Sequence, residues 1–90
     1  MSKCCLKALV TGKVQGVWYR RATQQQALEA GVAGHARNLE DGRVEVLLCG
    51  ESSDVDAVVR WLWEGPPNAQ VTDVVVEDVG WQDLDAFITL

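Results

Sequence analysis

Val32-Ala33-Gly34-His35-Ala36-Arg37-Asn38-Leu39-Glu40-Asp41-Gly42-Arg43-Val44-Glu45-Val46-Leu47-Leu48-Cys49 is the stretch whose reading decides the fold. Two extended runs, Val32 to Leu39 and Arg43 to Cys49, flank Glu40-Asp41-Gly42. Asp-Gly between extended runs signals a tight hairpin, because both turn residues must tolerate positive φ. In the second run Val44, Val46 and Leu48 share one face, and Arg43, Glu45, Leu47 and Cys49 share the other. That alternation describes a strand with one face in a core and one face partly wet, ending at Gly50.

Working outward, each side of the hairpin carries a helical segment. Upstream, Arg21 to Ala30 is rich in Ala, Gln, Leu and Glu, which favour helix, and Gly31 supplies the stop. Downstream, Ser53 is placed to cap a helix whose first turn holds Asp54 and Asp56, complementing the positive end of the dipole. Val55, Val58, Val59 and Leu62 then follow at helical spacing, and Gly65-Pro66-Pro67 ends the run because proline cannot continue a helix.

One step further out lie two more strands. Leu6, Ala8 and Val10 alternate with Lys7, Leu9 and Thr11, giving a strand over Cys4 to Thr11 that stops at Gly12. Val71 to Val79 is dense in valine, and Ala86 to Leu90 adds a short terminal strand. The order βαββαβ is that of the α+β ferredoxin-like sandwich: one antiparallel sheet with two helices on a single face. At 90 residues this is one domain, 1–90. The architecture itself does not choose a function.

Composition narrows the choice. A net charge of -5 repels polyanions and argues against general nucleic-acid binding. Positive charge is local instead: Lys3, Lys7, Lys13, Arg20 and Arg21 precede the first acidic residue, Glu29. The apolar runs are too short for a membrane span, and Met1-Ser2-Lys3-Cys4-Cys5 lacks the apolar core of a signal peptide, so the expected location is cytoplasmic. Cys4, Cys5 and Cys49 have no ligand spacing, and His35 is the only histidine, so metal binding is not expected. A structural disulfide is disfavoured in the cytoplasm, and Cys4 and Cys5 would point to opposite faces of their strand.

The segment Gly12-Lys13-Val14-Gln15-Gly16-Val17 connects the first strand to the first helix. A glycine loop at that place turns successive backbone N-H groups inward, and the helix start adds unpaired donors and its positive dipole end. The result suits an oxyanion, although the spacing matches neither the Walker pattern nor the dinucleotide fingerprint. Arg20 at the helix mouth offers a planar fork of donors matched to two phosphate oxygens. Arg21 lies about 100° further around the helix, so only one of the two is expected to face the loop.

Gly12-Lys13-Val14-Gln15-Gly16-Val17-Trp18-Tyr19-Arg20 resembles the phosphate-binding signature of the acylphosphatase family. The similarity continues through Thr23, Ala27, Gly31-Val32-Ala33-Gly34, Arg37-Asn38, Asp41-Gly42-Arg43-Val44-Glu45, Gly50, Trp61-Leu62 and Gly65-Pro66, about residues 7 to 80. The resemblance implies a ferredoxin-like monomer that hydrolyses small acyl phosphates without metal or cofactor. It implies that Arg20 binds phosphate together with the amides of Gln15, Gly16, Val17, Trp18, Tyr19 and Arg20, and that Asn38 positions the attacking water. A neutral amide suits that task, since its oxygen accepts from water without repelling an anionic phosphate.

Other side chains are weighed against this site. Tyr19 stands where the family more often has phenylalanine and would put a hydroxyl near the loop; Thr23 is a supporting residue that either bonds the loop or back-bonds within the helix. Trp18 either lines the pocket or packs. His35, three residues before Asn38, falls on the opposite face of its strand and is not expected to act as a base. The competing classes are a noncatalytic anion sensor on the same loop, a nucleic-acid binder and a metal carrier. Aromatics are absent from Val32 to Cys49 and Cys-x-x-Cys is absent from the first loop, which disfavours the last two.

Overall fold

The computed structural model describes residues 2–90 and follows the order β1 (Lys3–Lys13), α1 (Tyr19–Ala30), β2 (Ala33–Asn38), β3 (Val44–Glu51), α2 (Ser52–Glu64), β4 (Gln70–Asp78) and β5 (Phe87–Thr89). The strands form one sheet in the order β4-β1-β3-β2-β5. β1 is antiparallel to β3 and β4, and β2 is antiparallel to β3, as the ferredoxin-like reading requires. At the edge the expectation of a wholly antiparallel sheet fails, because β5 pairs with β2 in parallel, Gly34 opposite Phe87.

The hairpin closes where the sequence places it. Leu39 N-H donates to the Arg43 carbonyl at 2.8 Å, and Gly42, at φ 95°, donates to the Leu39 carbonyl at 3.2 Å. Ala8, Val10, Val44, Val46 and Leu48 turn to the helical face and are buried. There they meet Tyr19 and Ala27 of α1 and Val55, Val58 and Leu62 of α2 in a single apolar cluster. Each of the larger aliphatic side chains so enclosed stabilises the fold by roughly 1.5–3 kcal/mol.

Several boundaries differ from the sequence reading. α1 begins at Tyr19 rather than Arg21, and β3 runs through Gly50 to Glu51. β1 does not stop at Gly12; it runs to Lys13 through a shift in its register with β4 between Thr11 and Gly12. Gly12 adopts φ 133°, and a Cβ there would lie 2.0 Å from the Gln70 carbonyl oxygen, so the strand passes the irregularity only as glycine. α2 begins at Ser52 with Glu51 as its N-cap residue, so Ser53 does not cap it. The Ser52 hydroxyl instead donates to the Ser2 carbonyl at 3.0 Å, and Asp54 occupies the first turn as expected.

The other face of the sheet is drier than its alternation suggests. Glu45, Leu47 and Cys49 are all buried: His35 and Arg37 close on the Glu45 carboxylate, and Gln82 to Ala86 lie beside Leu47 and reach Cys5. The expectation of unpaired cysteines is corrected here: Cys5 and Cys49 form a disulfide. They stand directly opposite in the β1–β3 register with Cα atoms 4.1 Å apart, a relation that sequence spacing does not reveal. Gln82 N-H donates to Cys5 Sγ at 3.1 Å and Val79 N-H to the Cys5 carbonyl at 3.1 Å, tying the stretch after β4 to the bond. Cys4, on the helical face, is half-buried and free.

Candidate active site

β1 and β2 are both antiparallel to β3, so their C-terminal ends emerge at the same edge of the sheet. Val44 marks that edge, pairing with Val10 on one side and Asn38 on the other. The loop after β1 and the last residue of β2 are thereby brought together, with the N-terminus of α1 above them. A cleft of about 360 Å³ opens at this meeting point.

The loop is shaped by two residues with positive φ, Gly16 at 73° and Trp18 at 65°. Left-handed backbone costs a non-glycine residue about 1–2 kcal/mol, and among the described residues Trp18 is the non-glycine residue that adopts it. Its indole is 73% exposed at the cleft, so packing does not explain the conformation. Trp18 is the N-cap residue of α1, and its carbonyl accepts the first helical bond, from Ala22 at 2.9 Å. Among the described residues, the main-chain N-H groups of residues 15 to 20 find no main-chain acceptor. Donors left free around a helix N-terminus form an anion-binding concavity.

Arg20 lies in the first turn of α1, borders the cleft, and donates through Nη1 to the main-chain oxygen of Leu90. Arg21 borders the cleft as well, which corrects the expectation that only one of the two arginines faces it. Asn38 is exposed at the opposite wall. None of the side chains bordering the cleft is acidic, and two of them, Arg20 and Arg21, are cationic.

Of the residues singled out from the sequence, Gly16, Trp18, Tyr19, Arg20 and Asn38 border the cleft, whereas Gln15, Val17 and Thr23 do not. The Tyr19 hydroxyl is not near the loop; it donates into the core, to the Leu62 carbonyl at 2.6 Å. Burial pushes its phenol above the ordinary value. The Thr23 hydroxyl back-bonds to the Tyr19 carbonyl at 2.8 Å, the helical alternative to contacting the loop. Gln15 turns its side chain away, to the β2–β3 hairpin, where Nε2 donates to the carbonyls of Leu39 and Arg43.

Sequence reasoning missed Val14 and Thr89 at the cleft. Val14 adjoins residues already chosen, but Thr89 arrives only because β5 adds to β2, and no local signal encodes that pairing. His35 lies away from the cleft, as strand alternation requires. It approaches Glu45 at 3.4 Å, and Arg37 binds the same carboxylate at 2.8 Å. Burial alone would raise the Glu45 carboxyl, but the hydrogen bonds from Arg37 and His35 outweigh it and hold the group below its ordinary value.

Fold and cleft together define an α+β domain whose cleft is bordered by the glycine loop, the start of α1, Arg20, Arg21 and Asn38. A family model described as acylphosphatase matches residues 6–88. An acylphosphatase of Chromohalobacter salexigens is 73% identical over 73 residues, covering 81% of each chain, and one of Nitrosococcus oceani is 51% identical over 83 residues, covering 92% of this chain and 93% of the relative. The solved acylphosphatase of Coxiella burnetii superposes with a TM-score of 0.94 at 38% identity, over 98% of this chain and 93% of that one. The chain belongs to the acylphosphatase family, a family of hydrolases acting on acyl phosphates.

Proposed function

We propose that this chain, acting as a single-domain monomer, hydrolyses the carboxyl-phosphate bond of small acyl phosphates to carboxylate and inorganic phosphate. The observation that carries the reading is the meeting of Arg20, the loop with its free N-H groups and Asn38 at one cleft. Arg20 and the amides of residues 15 to 20 bind the phosphoryl group and meet the charge that grows on its equatorial oxygens. Phosphoryl transfer is accelerated chiefly by such positioning and charge stabilisation. Asn38 accepts a hydrogen bond from water and directs it in line with the departing carboxylate.

The bond to the carboxylate breaks as the water oxygen bonds to phosphorus. The water's proton passes to a substrate phosphate oxygen, and the carboxylate leaves as a stable anion that needs no acid. Neither His35 nor a cysteine takes part, and the reading requires no metal. No helix among the described residues is long and apolar enough to cross a membrane. Cytoplasmic residence is part of the proposal, in tension with the Cys5–Cys49 bond, since cytosolic thiols are kept reduced.

Incubation of the purified protein with benzoyl phosphate and excess chelator, in heavy-oxygen water, tests the proposal. Phosphate should be released and should carry the heavy oxygen. No turnover overturns the enzymatic reading, and label in benzoate overturns attack at phosphorus.

A further inference from the structure

The two walls of the cleft belong to elements that do not pair with each other: β3 separates β1, which feeds the loop, from β2, which carries Asn38. Two strand spacings amount to about 10 Å. Asn38 is the final residue of β2 and is exposed, so its placement depends on what holds the end of the hairpin.

Gln15 spans this gap. From the loop, its Nε2 donates to the Leu39 carbonyl at 2.8 Å and to the Arg43 carbonyl at 3.0 Å. Leu39 is the neighbour of Asn38, and Leu39 and Arg43 are the residues whose mutual bond closes the hairpin. One primary amide thus clamps both strands of the hairpin to the loop. Because both acceptors are carbonyls, the NH2 group must face them, and the orientation of the amide follows from chemistry. Glutamate at this place has no hydrogen to donate when ionised and would repel both oxygens.

We propose that Gln15 is a positioning residue for the reaction: its side chain ties the loop that holds phosphate to the hairpin that carries Asn38, and so sets where the attacking water stands relative to phosphorus. The inference rests on the role assigned to Asn38 above. The Gln15 main-chain N-H is kept in Gln15→Ala and Gln15→Met, so the side chain's contribution is separable from the loop's.

The test is a double-mutant cycle on benzoyl phosphate hydrolysis with Gln15→Ala, Asn38→Ala and the double variant, each also assayed for competitive inhibition by inorganic phosphate. Misplacement by about 1 Å costs on the order of 100-fold, so Gln15→Ala should lower kcat by roughly 10- to 100-fold. Phosphate inhibition should stay within about twofold, and the double variant should be no slower than Asn38→Ala alone, because the lost interaction acts through Asn38.

Full kcat in Gln15→Ala overturns the coupling, as does a double variant whose loss is the product of the two single losses. So does a loss expressed in phosphate inhibition rather than in kcat. Full activity in Asn38→Ala would instead refute the role of Asn38 itself, a distinguishable failure. If Gln15→Ala does not fold, Gln15→Met, of similar length but without a donor, carries the same comparison.

Discussion

Tyr19→Phe isolates one hydrogen bond that joins the two helices directly behind the site. The Leu62 carbonyl lies near the end of α2, where its helical donor would be the N-H of residue 66, which is a proline and has none. Tyr19 supplies the missing donor at 2.6 Å in a buried setting. Phenylalanine keeps the ring in the core and leaves the carbonyl unpaired. A buried acceptor stripped of its partner costs about 1–3 kcal/mol.

Taking about 1.5 kcal/mol, and about 4–8 °C per kcal/mol for a domain of this size, Tm should fall by roughly 6–12 °C. Activity on benzoyl phosphate should be unchanged, because the hydroxyl points into the core. The same group gives an alkaline signature. Burial holds the phenol protonated in the folded chain, so as pH rises past about 10 the unfolded chain loses its proton first. Stability is therefore full below that point and declines above it, and Tyr19→Phe removes the decline. The sequence contains a single tyrosine, so tyrosinate absorbance reports this group alone. An unchanged Tm, or a kcat that drops with the hydroxyl, would refute the reasoning.

Two further outcomes are expected. Reducing Cys5–Cys49, whose partners are 44 residues apart, should destabilise the chain by about 2–4 kcal/mol on loop-closure grounds, read as a lower urea midpoint, while benzoyl phosphate turnover in native buffer is retained. The Glu45 carboxyl, held down by Arg37 and His35, stabilises the fold above the carboxylate's unfolded value, and that contribution is lost as pH falls through the depressed folded value. Acid titration of stability should be shallower in Glu45→Gln than in the parent chain.

The parts of the fold governed by local chemistry were legible in the sequence. Gly42 completes the turn at positive φ, although Asp41, expected to share that geometry, does not; Val55, Val58 and Leu62 are buried because their spacing leaves them on one side of α2. What was not legible depends on which strands meet. Cys5 faces Cys49 only through the β1–β3 register, and Thr89 reaches the cleft only through the parallel pairing of β5.

The site divides in the same way. Arg20 beside a glycine loop suggested an oxyanion, but Asn38 entered through the resemblance, since nothing local distinguishes an asparagine at a strand end. The side chain of Gln15 was unreadable for a different reason: its acceptors belong to a hairpin far along the chain, whose closeness to the loop depends on the sheet order. The alternation of β3 misled because side chains of β2 close on Glu45 and the stretch after β4 reaches Leu47 and Cys5, on the face it assigns to water.

The central claim is that one residue holds phosphate and another directs water, and inorganic phosphate as a competitive inhibitor separates the two most directly. Arg20→Ala should weaken inhibition by phosphate at least about tenfold, whereas Asn38→Ala should lower kcat by roughly 100-fold and leave that inhibition within about twofold. Unchanged kcat in Asn38→Ala, or undiminished phosphate inhibition in Arg20→Ala, would contradict the account.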